Sequence, residues 1–172
     1  MSNSNAMKEI FIEKVTVNIG VGSPGERLEH AKNLMSKLTG NRKPIETLAR
    51  KRDPVFKLRK GLPIGAKVTI RGKDTQQFIE KALTARRRPL AQANFDNQGN
   101  LSFGVPEYID FPGAKYDPTI GMFGFDVCVT LSRAGNRVTK RRFNNSKIGK
   151  THKITKEEGM DFIVKNFNAK IE

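Results

Sequence analysis

The sequence predicts an α+β protein with a largely antiparallel sheet, helices packed on one face of it, and an open polar and basic face opposite. Several segments alternate apolar and polar residues with a period of two, which is typical of strands with one buried and one wet face. Other segments repeat apolar residues at helical spacing. Strands with one solvent-exposed face favour antiparallel pairing, and helices then cover the buried face of the sheet.

The first predicted strand covers residues 14–21. Its apolar side chains, such as Val15 and Val17, share one face, and Thr16 and Asn18 share the other. This pattern indicates a half-buried strand whose second face is polar.

A helix is predicted to follow this strand. Ser23 suits the N-cap, Pro24 the first helical position and Glu26 the third. Apolar residues then recur at helical spacing until Gly40, a typical C-terminal stop.

A second alternating strand and a second helix come next. Residues 64–71 direct Lys67, Thr69 and Arg71 to one face and apolar residues to the other. Asp74 is predicted to cap the helix that follows.

The second half of the chain predicts two more strands and a last helix. Leu101, Phe103 and Val105 share one face of a strand, and residues 123–131 form the longest alternating run. Thr155 is predicted to cap the last helix. The predicted buried side of that helix is Met160, Ile163, Val164 and Phe167.

The length of 172 residues fits one domain with a continuous core. We expect a flexible tail over residues 1–9 and a single α+β domain over 10–172. That domain includes a basic loop at 41–62 and a basic segment at 133–153.

The charge is strongly basic and unevenly distributed. The formal net charge is +15, which favours a polyanionic partner such as nucleic acid. Residues 42–73 hold eleven basic and two acidic side chains, and residues 133–153 hold eight basic and none acidic. Because a merely solubilising surface would mix both signs, this segregation favours binding faces.

Catalytic and metal sites find little support in the sequence. A single cysteine, Cys128, and two histidines, His30 and His152, predict no cofactor and no metal centre. The glycines from Gly20 to Gly25 follow a strand and precede a helix, but a basic loop intervenes before the next strand, so a tight turn is favoured over a dinucleotide site. No apolar run approaches the ~20 residues of a membrane span.

Two strands and one loop supply the candidate RNA-binding residues. If the two strands are neighbours, their polar faces form one patch that can bind sugars and phosphates. Phe56 lies among loop cations and either stacks on an unpaired base or anchors the loop in the core. The candidates are Thr16, Asn18, Lys67, Thr69 and Arg71 on the strands and Arg42, Lys43, Arg50, Lys51, Arg52, Phe56, Lys57, Arg59 and Lys60 in the loop.

Two other function classes remain as alternatives at this point. One is an RNA-processing or RNA-modifying enzyme, which a cleft with converging acid and base groups would favour. The other is a protein that binds anionic lipid or an acidic protein.

Several of these segments carry a resemblance to a known family. The sequence resembles the universal large-subunit ribosomal protein five family, whose members bind 5S rRNA. The most specific stretch is Phe56-Lys57-Leu58-Arg59-Lys60-Gly61-Leu62-Pro63-Ile64-Gly65-Ala66-Lys67-Val68-Thr69-Ile70-Arg71-Gly72. Shorter matching stretches occur at residues 17–22, 39–44, 49–51, 99–105, 111–112, 116–118 and 124–126.

The resemblance implies a non-catalytic component of the cytoplasmic ribosome, docked on 5S rRNA in the central protuberance. It implies that Asn18, Phe56 and Thr69 contact 5S rRNA and that residues 51–60 reach the peptidyl-site tRNA. It also places residues 116–122 near a small-subunit head protein at an intersubunit bridge. The implied partners are therefore 5S rRNA, large-subunit rRNA, that tRNA and that protein, with no membrane.

Two departures from the bacterial pattern stand out. The loop Gly40-Asn41-Arg42-Lys43-Pro44 is one residue longer than the bacterial form, so either Asn41 or Arg42 takes the place of its glutamine. The basic segment 133–153 has no bacterial counterpart and is similar to the archaeal and eukaryotic branch. Its short length favours an archaeal source, and the resemblance leaves open which RNA it contacts.

Overall fold

The computed structural model describes residues 5–86 and 88–172, and it confirms the α+β class. Five strands form an antiparallel sheet in the order β2-β3-β1-β5-β4. The elements are β1 (Ile10–Gly20), α1 (Glu26–Leu38), β2 (Ile45–Leu48), β3 (Pro63–Ile70), α2 (Asp74–Ala85), β4 (Leu101–Val105), β5 (Phe125–Arg133) and α3 (Lys156–Phe167).

By proximity of their Cα atoms, the residues group into two compact units. Of the described residues, one unit comprises 5–14, 88–102 and 128–172, and it contains α3 and the basic segment 133–153. The other comprises 15–86 and 103–127, and it contains α1, α2, β2 and β3. The division into a tail and a single domain stays a prediction.

The second of these units has its apolar core on one face of β1 and β3. Val17 of β1 lies opposite Val68 of β3, and Ile19 lies opposite Ala66; all four side chains are buried. Helix α1 packs against β3, since its apolar stripe needs a partner surface. This is the face that the period-two pattern predicted to be buried.

Helix α1 begins later than predicted and ends where predicted. Gly25 occupies the N-cap with φ 125° and offers no side-chain hydrogen bond, so the expected cap by Ser23 is wrong. This backbone conformation favours glycine and lets the chain turn before the first helical residue. At the other end, Gly40 has φ 70°, and the Asn41 N–H donates to the Ser36 carbonyl oxygen at 2.8 Å, as in a Schellman ending.

The predicted cap of α2 is wrong and that of α3 is confirmed. Asp74 is the first helical residue of α2 and pairs with Arg42 instead of capping. In α3 the Thr155 hydroxyl accepts from the Glu158 N–H, and the Glu158 carboxylate accepts from the Thr155 N–H. Ile163 is fully buried, whereas Val164 is 41% exposed, so its predicted burial is wrong.

Candidate RNA-binding surface

The open face of β1 and β3 brings four of the predicted site residues together. The two strands pair antiparallel, with Thr16 opposite Thr69 and Asn18 opposite Lys67. Lys67 and Thr69 are exposed, and Thr16 and Asn18 are half-buried. Directly opposed side chains on one sheet face lie close enough to act as a set. The patch therefore combines hydroxyl, amide and ammonium groups.

This patch borders a stretch of sheet that lacks side chains. Gly20 lies opposite Gly65, and Thr47 of β2 lies on the other side of Gly65. A Cβ built on Gly65 would come within 2.6 Å of the Ile19 carbonyl oxygen and 2.8 Å of the Thr47 hydroxyl. Glycine is therefore required here for close approach of the backbones.

The predicted loop between α1 and β3 contains the strand β2 and an ordered hairpin. Beyond β2, the Ala49 N–H donates to the Leu62 carbonyl oxygen at 2.8 Å, and the Gly61 N–H donates to the Ala49 carbonyl oxygen at 2.9 Å. Further out, Asp53 and Leu58 exchange two backbone hydrogen bonds of 3.0 and 2.8 Å. These bonds fix the arm that carries most of the predicted cations.

The tip of this hairpin presents an aromatic ring to solvent. The Asp53 carboxylate accepts from the Val55 N–H at 3.0 Å, and Lys57 has φ 55°, so a side-chain turn and one left-handed residue shape the tip. Phe56 is 73% exposed. The alternative in which Phe56 anchors the loop in the core is therefore wrong, and the ring is available for stacking.

The cations of the hairpin are exposed and electrostatically uncompensated. Among the described residues, no carboxylate forms a salt bridge with any of them. They are Arg50, Lys51, Arg52, Lys57, Arg59 and Lys60. Uncompensated positive charge on an ordered arm attracts a polyanion and directs its approach.

The remaining predicted site residues flank the two strands. Asn41 and Lys43 are exposed in the connection between α1 and β2, and Arg71 is exposed directly after β3. Arg42 pairs with Asp74 and lines a groove that also includes Phe78 of α2. Arg42 therefore lies toward the helices, and its charge is partly offset.

Sequence reasoning missed an apolar strip along β2 and the hairpin. Ile45, Leu48 and Val55 are 64%, 55% and 84% exposed, and Ile45 lies opposite Lys67 on the open face. The β-branched residues Ile45 and Thr47 were a signal for a strand. Because β2 has four residues, its alternation was too short to stand out from the basic loop.

The loop over residues 116–122 is ordered and presents large side chains to solvent. Tyr116 is 57% and Met122 is 47% exposed. Asp117 accepts hydrogen bonds from the Thr119 hydroxyl at 2.6 Å and from the Lys37 ammonium at 3.2 Å. These two interactions, the Thr119 hydroxyl first, lower the pKa of the Asp117 carboxyl and hold the loop in place.

Metal and membrane sites find no support in the described part of the chain. Across residues 5–86 and 88–172, no group of three histidine, cysteine or acidic side chains could hold a metal ion. Within those same residues, no helix has the length and apolar character that crossing a bilayer requires.

An open sheet face with hydroxyl, amide and cationic groups, beside a basic arm tipped by an aromatic ring, is typical of proteins that bind structured RNA. Comparison with known families shows which family within this class of RNA-binding proteins the chain matches. A model described as the C-terminus of the ribosomal protein L5 family matches residues 63–162. A second model, described as ribosomal protein L5, matches residues 5–59.

Archaeal relatives cover almost the whole chain. The large ribosomal subunit protein uL5 of Methanococcus maripaludis strain C5 is 46% identical over 168 residues, covering 96% of this chain and 92% of the relative. The protein of the same name from Sulfurisphaera tokodaii is 48% identical over 168 residues, covering 97% of this chain and 94% of the relative. The chain belongs to the ribosomal protein L5 family, in its archaeal branch, and is a structural, non-enzymatic component of the large subunit of the cytoplasmic ribosome.

Proposed function

We propose that this chain binds 5S rRNA in the central protuberance through the open face of β1 and β3. The observation that carries the proposal is the pairing of Thr16 with Thr69 and of Asn18 with Lys67 on one exposed face. Short polar groups can hydrogen-bond riboses and phosphates, and the ammonium group of Lys67 supplies charge.

The proposal includes the hairpin and the flanking cations as part of the same RNA contact. Phe56 stacks on an unpaired base, and the cations contact phosphates. The proposed RNA-binding set is Thr16, Asn18, Asn41, Arg42, Lys43, Arg50, Lys51, Phe56, Lys57, Arg59, Lys60, Lys67, Thr69 and Arg71. Other large-subunit rRNA is a partner of the cations that 5S rRNA leaves uncovered.

The test is the affinity of the purified chain for 5S rRNA and for a shuffled RNA of equal length, at about 0.2 M salt, where non-specific phosphate contacts are weakened. We expect Asn18→Ala and Thr69→Ala each to weaken 5S rRNA binding about two- to tenfold, the cost of a lost polar contact. Asn33→Ala is the matched control, because Asn33 is exposed on α1. Equal affinity of the wild-type chain for both RNAs would contradict the proposal.

We further propose that residues 51–60 contact the tRNA in the peptidyl site. The arm is held by backbone hydrogen bonds and ends in the exposed Val55 and Phe56, so it can reach a partner beyond the sheet. In ribosomes that contain the chain, Phe56→Ser should reduce the yield of crosslinks from the arm to tRNA while the chain stays bound. An unchanged crosslinking yield would contradict the proposed contact between the arm and the tRNA.

The loop over residues 116–122 is proposed to contact a small-subunit head protein at an intersubunit bridge. Tyr116 and Met122 are exposed, and tyrosine and methionine are enriched at protein interfaces. Tyr116→Ala should therefore weaken association of the two ribosomal subunits in sedimentation at low magnesium. Subunit association that is unchanged by Tyr116→Ala and by Met122→Ala would exclude this bridge contact.

A further inference from the structure

The basic segment 133–153 is closed at its base by partly buried polar contacts. Arg133 is buried, and its guanidinium donates to the Glu158 carboxylate at 2.7 Å and to the carbonyl oxygens of His152 and Lys153 at 3.4 and 3.3 Å. The His152 ring nitrogen Nε2 lies 2.9 Å from the Ala134 carbonyl oxygen. The two ends of the segment are therefore fastened to each other and to α3.

Hydrogen bonds within the segment shape its outer part. The Asn145 side-chain amide donates to the Thr139 carbonyl oxygen at 2.9 Å, and the Ser146 N–H donates to the Val138 carbonyl oxygen at 3.3 Å. The Arg141 guanidinium donates to the Asn144 carbonyl oxygen at 2.7 Å. Such a loop, closed at its base and bonded across its width, presents its tip in a defined form.

The tip carries an exposed aromatic ring beside a guanidinium group. Phe143 is 77% exposed, and the guanidinium carbon of Arg142 lies 5.5 Å from the centroid of its ring. That distance is within range of a cation–π interaction. A phenylalanine this exposed buries little surface in the core, so its ring is accessible to a partner.

The charge around this ring points to one class of partner. The segment contains no acidic residue, and in the described part of the chain no carboxylate forms a salt bridge with Arg137, Lys147 or Lys150, which are all exposed. An acidic surface could satisfy these charges, but a flat aromatic ring flanked by a guanidinium group matches an unpaired base and its phosphates.

We propose that residues 136–150 form a second RNA-binding surface, which takes a single-stranded RNA segment by stacking one unpaired base on Phe143 while the surrounding cations contact its phosphates. The inference rests on the assignment of the chain to the ribosome. It does not rest on the proposed 5S rRNA face, because it uses other residues.

The experiment measures fluorescence anisotropy of the full chain with a labelled oligouridylate of about twelve nucleotides, a length within the range of single-strand sites. We expect Phe143→Ala to weaken binding about 5- to 150-fold, which is the effect of losing one base–aromatic stack. Phe143→Leu should lose as much as Phe143→Ala, whereas Phe143→Tyr should keep wild-type affinity. None of the three variants removes a charge, so the salt dependence of binding should not change.

Three results would overturn the inference. They are wild-type affinity in Phe143→Ala, retained affinity in Phe143→Leu, and binding of anionic phospholipid vesicles that depends on Phe143 and persists in excess oligouridylate. The variant Asn18→Ala separates this inference from the proposed function. If Asn18→Ala leaves 5S rRNA binding intact while Phe143→Ala weakens oligouridylate binding to the expected extent, the proposed 5S rRNA face fails and this inference stands.

Discussion

The β2–β3 hairpin and the segment 133–153 are both rich in cations, but they use their cations differently. In the hairpin, backbone hydrogen bonds supply the order, and the cations have no carboxylate partner among the described residues. In the segment 133–153, Arg133 is buried against Glu158, and Lys140 pairs with Glu13 at 2.6 Å. Charge density along the sequence therefore does not measure how many cations are available to bind RNA.

The largest effect should come from removing the buried cation of the segment 133–153. Arg133→Ala removes the donor to two carbonyl oxygens and to one oxygen of the Glu158 carboxylate, so we expect the free energy of unfolding to fall by about 1–3 kcal/mol. Urea denaturation measures it. Lys147→Ala, an exposed cation of the same segment, should change it by less than about 0.5 kcal/mol. If the two variants lower the free energy of unfolding equally, the distinction between a structural cation, Arg133, and an exposed cation, Lys147, is contradicted.

A second prediction concerns the sheet that supports the hairpin. Gly65→Ala forces a methyl group against the Ile19 carbonyl oxygen and the Thr47 hydroxyl, so we expect a loss of stability of about 1–3 kcal/mol together with weaker 5S rRNA binding. Gly20→Ala is the matched control, since Gly20 lies opposite Gly65 in the register and a Cβ there meets nothing within 4 Å. If both variants melt at the wild-type temperature, the close approach of the strands is not a constraint.

A third prediction compares one cation from each region. Lys57→Ala removes an uncompensated charge, so the slope of log affinity for 5S rRNA against log salt concentration should fall by about one. Lys140→Ala removes a charge that already pairs with Glu13, so its effect on the slope should be smaller. Titrations of both variants over a range of salt concentrations test this, and equal slopes would contradict it.

The smallest effect is a dependence of stability on pH. The Thr155 N–H first, and then the Arg133 guanidinium, lower the pKa of the Glu158 carboxyl from its ordinary value of 4.5. A lowered pKa in the folded state stabilises the protein above pH 4.5, and this contribution is lost as pH falls toward the folded-state pKa. Glu158→Gln should therefore flatten the acid limb of a plot of stability against pH. Glu157→Gln, at an exposed position in the same turn, is the control and should leave that limb unchanged.

The open face of the sheet was predictable from the sequence because long strands repeat their pattern. Residues 14–21 and 64–71 alternate long enough to fix which side chains face outward, and their observed pairing places Asn18 opposite Lys67. The start of α1 was not predictable, since Ser23 and Gly25 both suit an N-cap and only the backbone conformation of Gly25 decides between them.

The contacts of single charges were not predictable for a different reason. Nothing in the local sequence tells that Arg133 is buried against Glu158 or that Arg42 pairs with Asp74. Such pairs depend on tertiary contacts between residues far apart in the chain. Likewise, the sequence left open whether Phe56 stacks on a base or anchors the loop, and it did not single out Phe143. The exposure of both rings in the structure identifies them as surface groups.

The most direct test of the central claim is ultraviolet crosslinking of the full chain to 5S rRNA, followed by mass spectrometry of the crosslinked peptides. The account predicts that the crosslinked peptides come from residues 14–21 and 56–71, on the open face and the hairpin. Crosslinks confined to the exposed surfaces of α1 and α2, with none from β1 or β3, would contradict it.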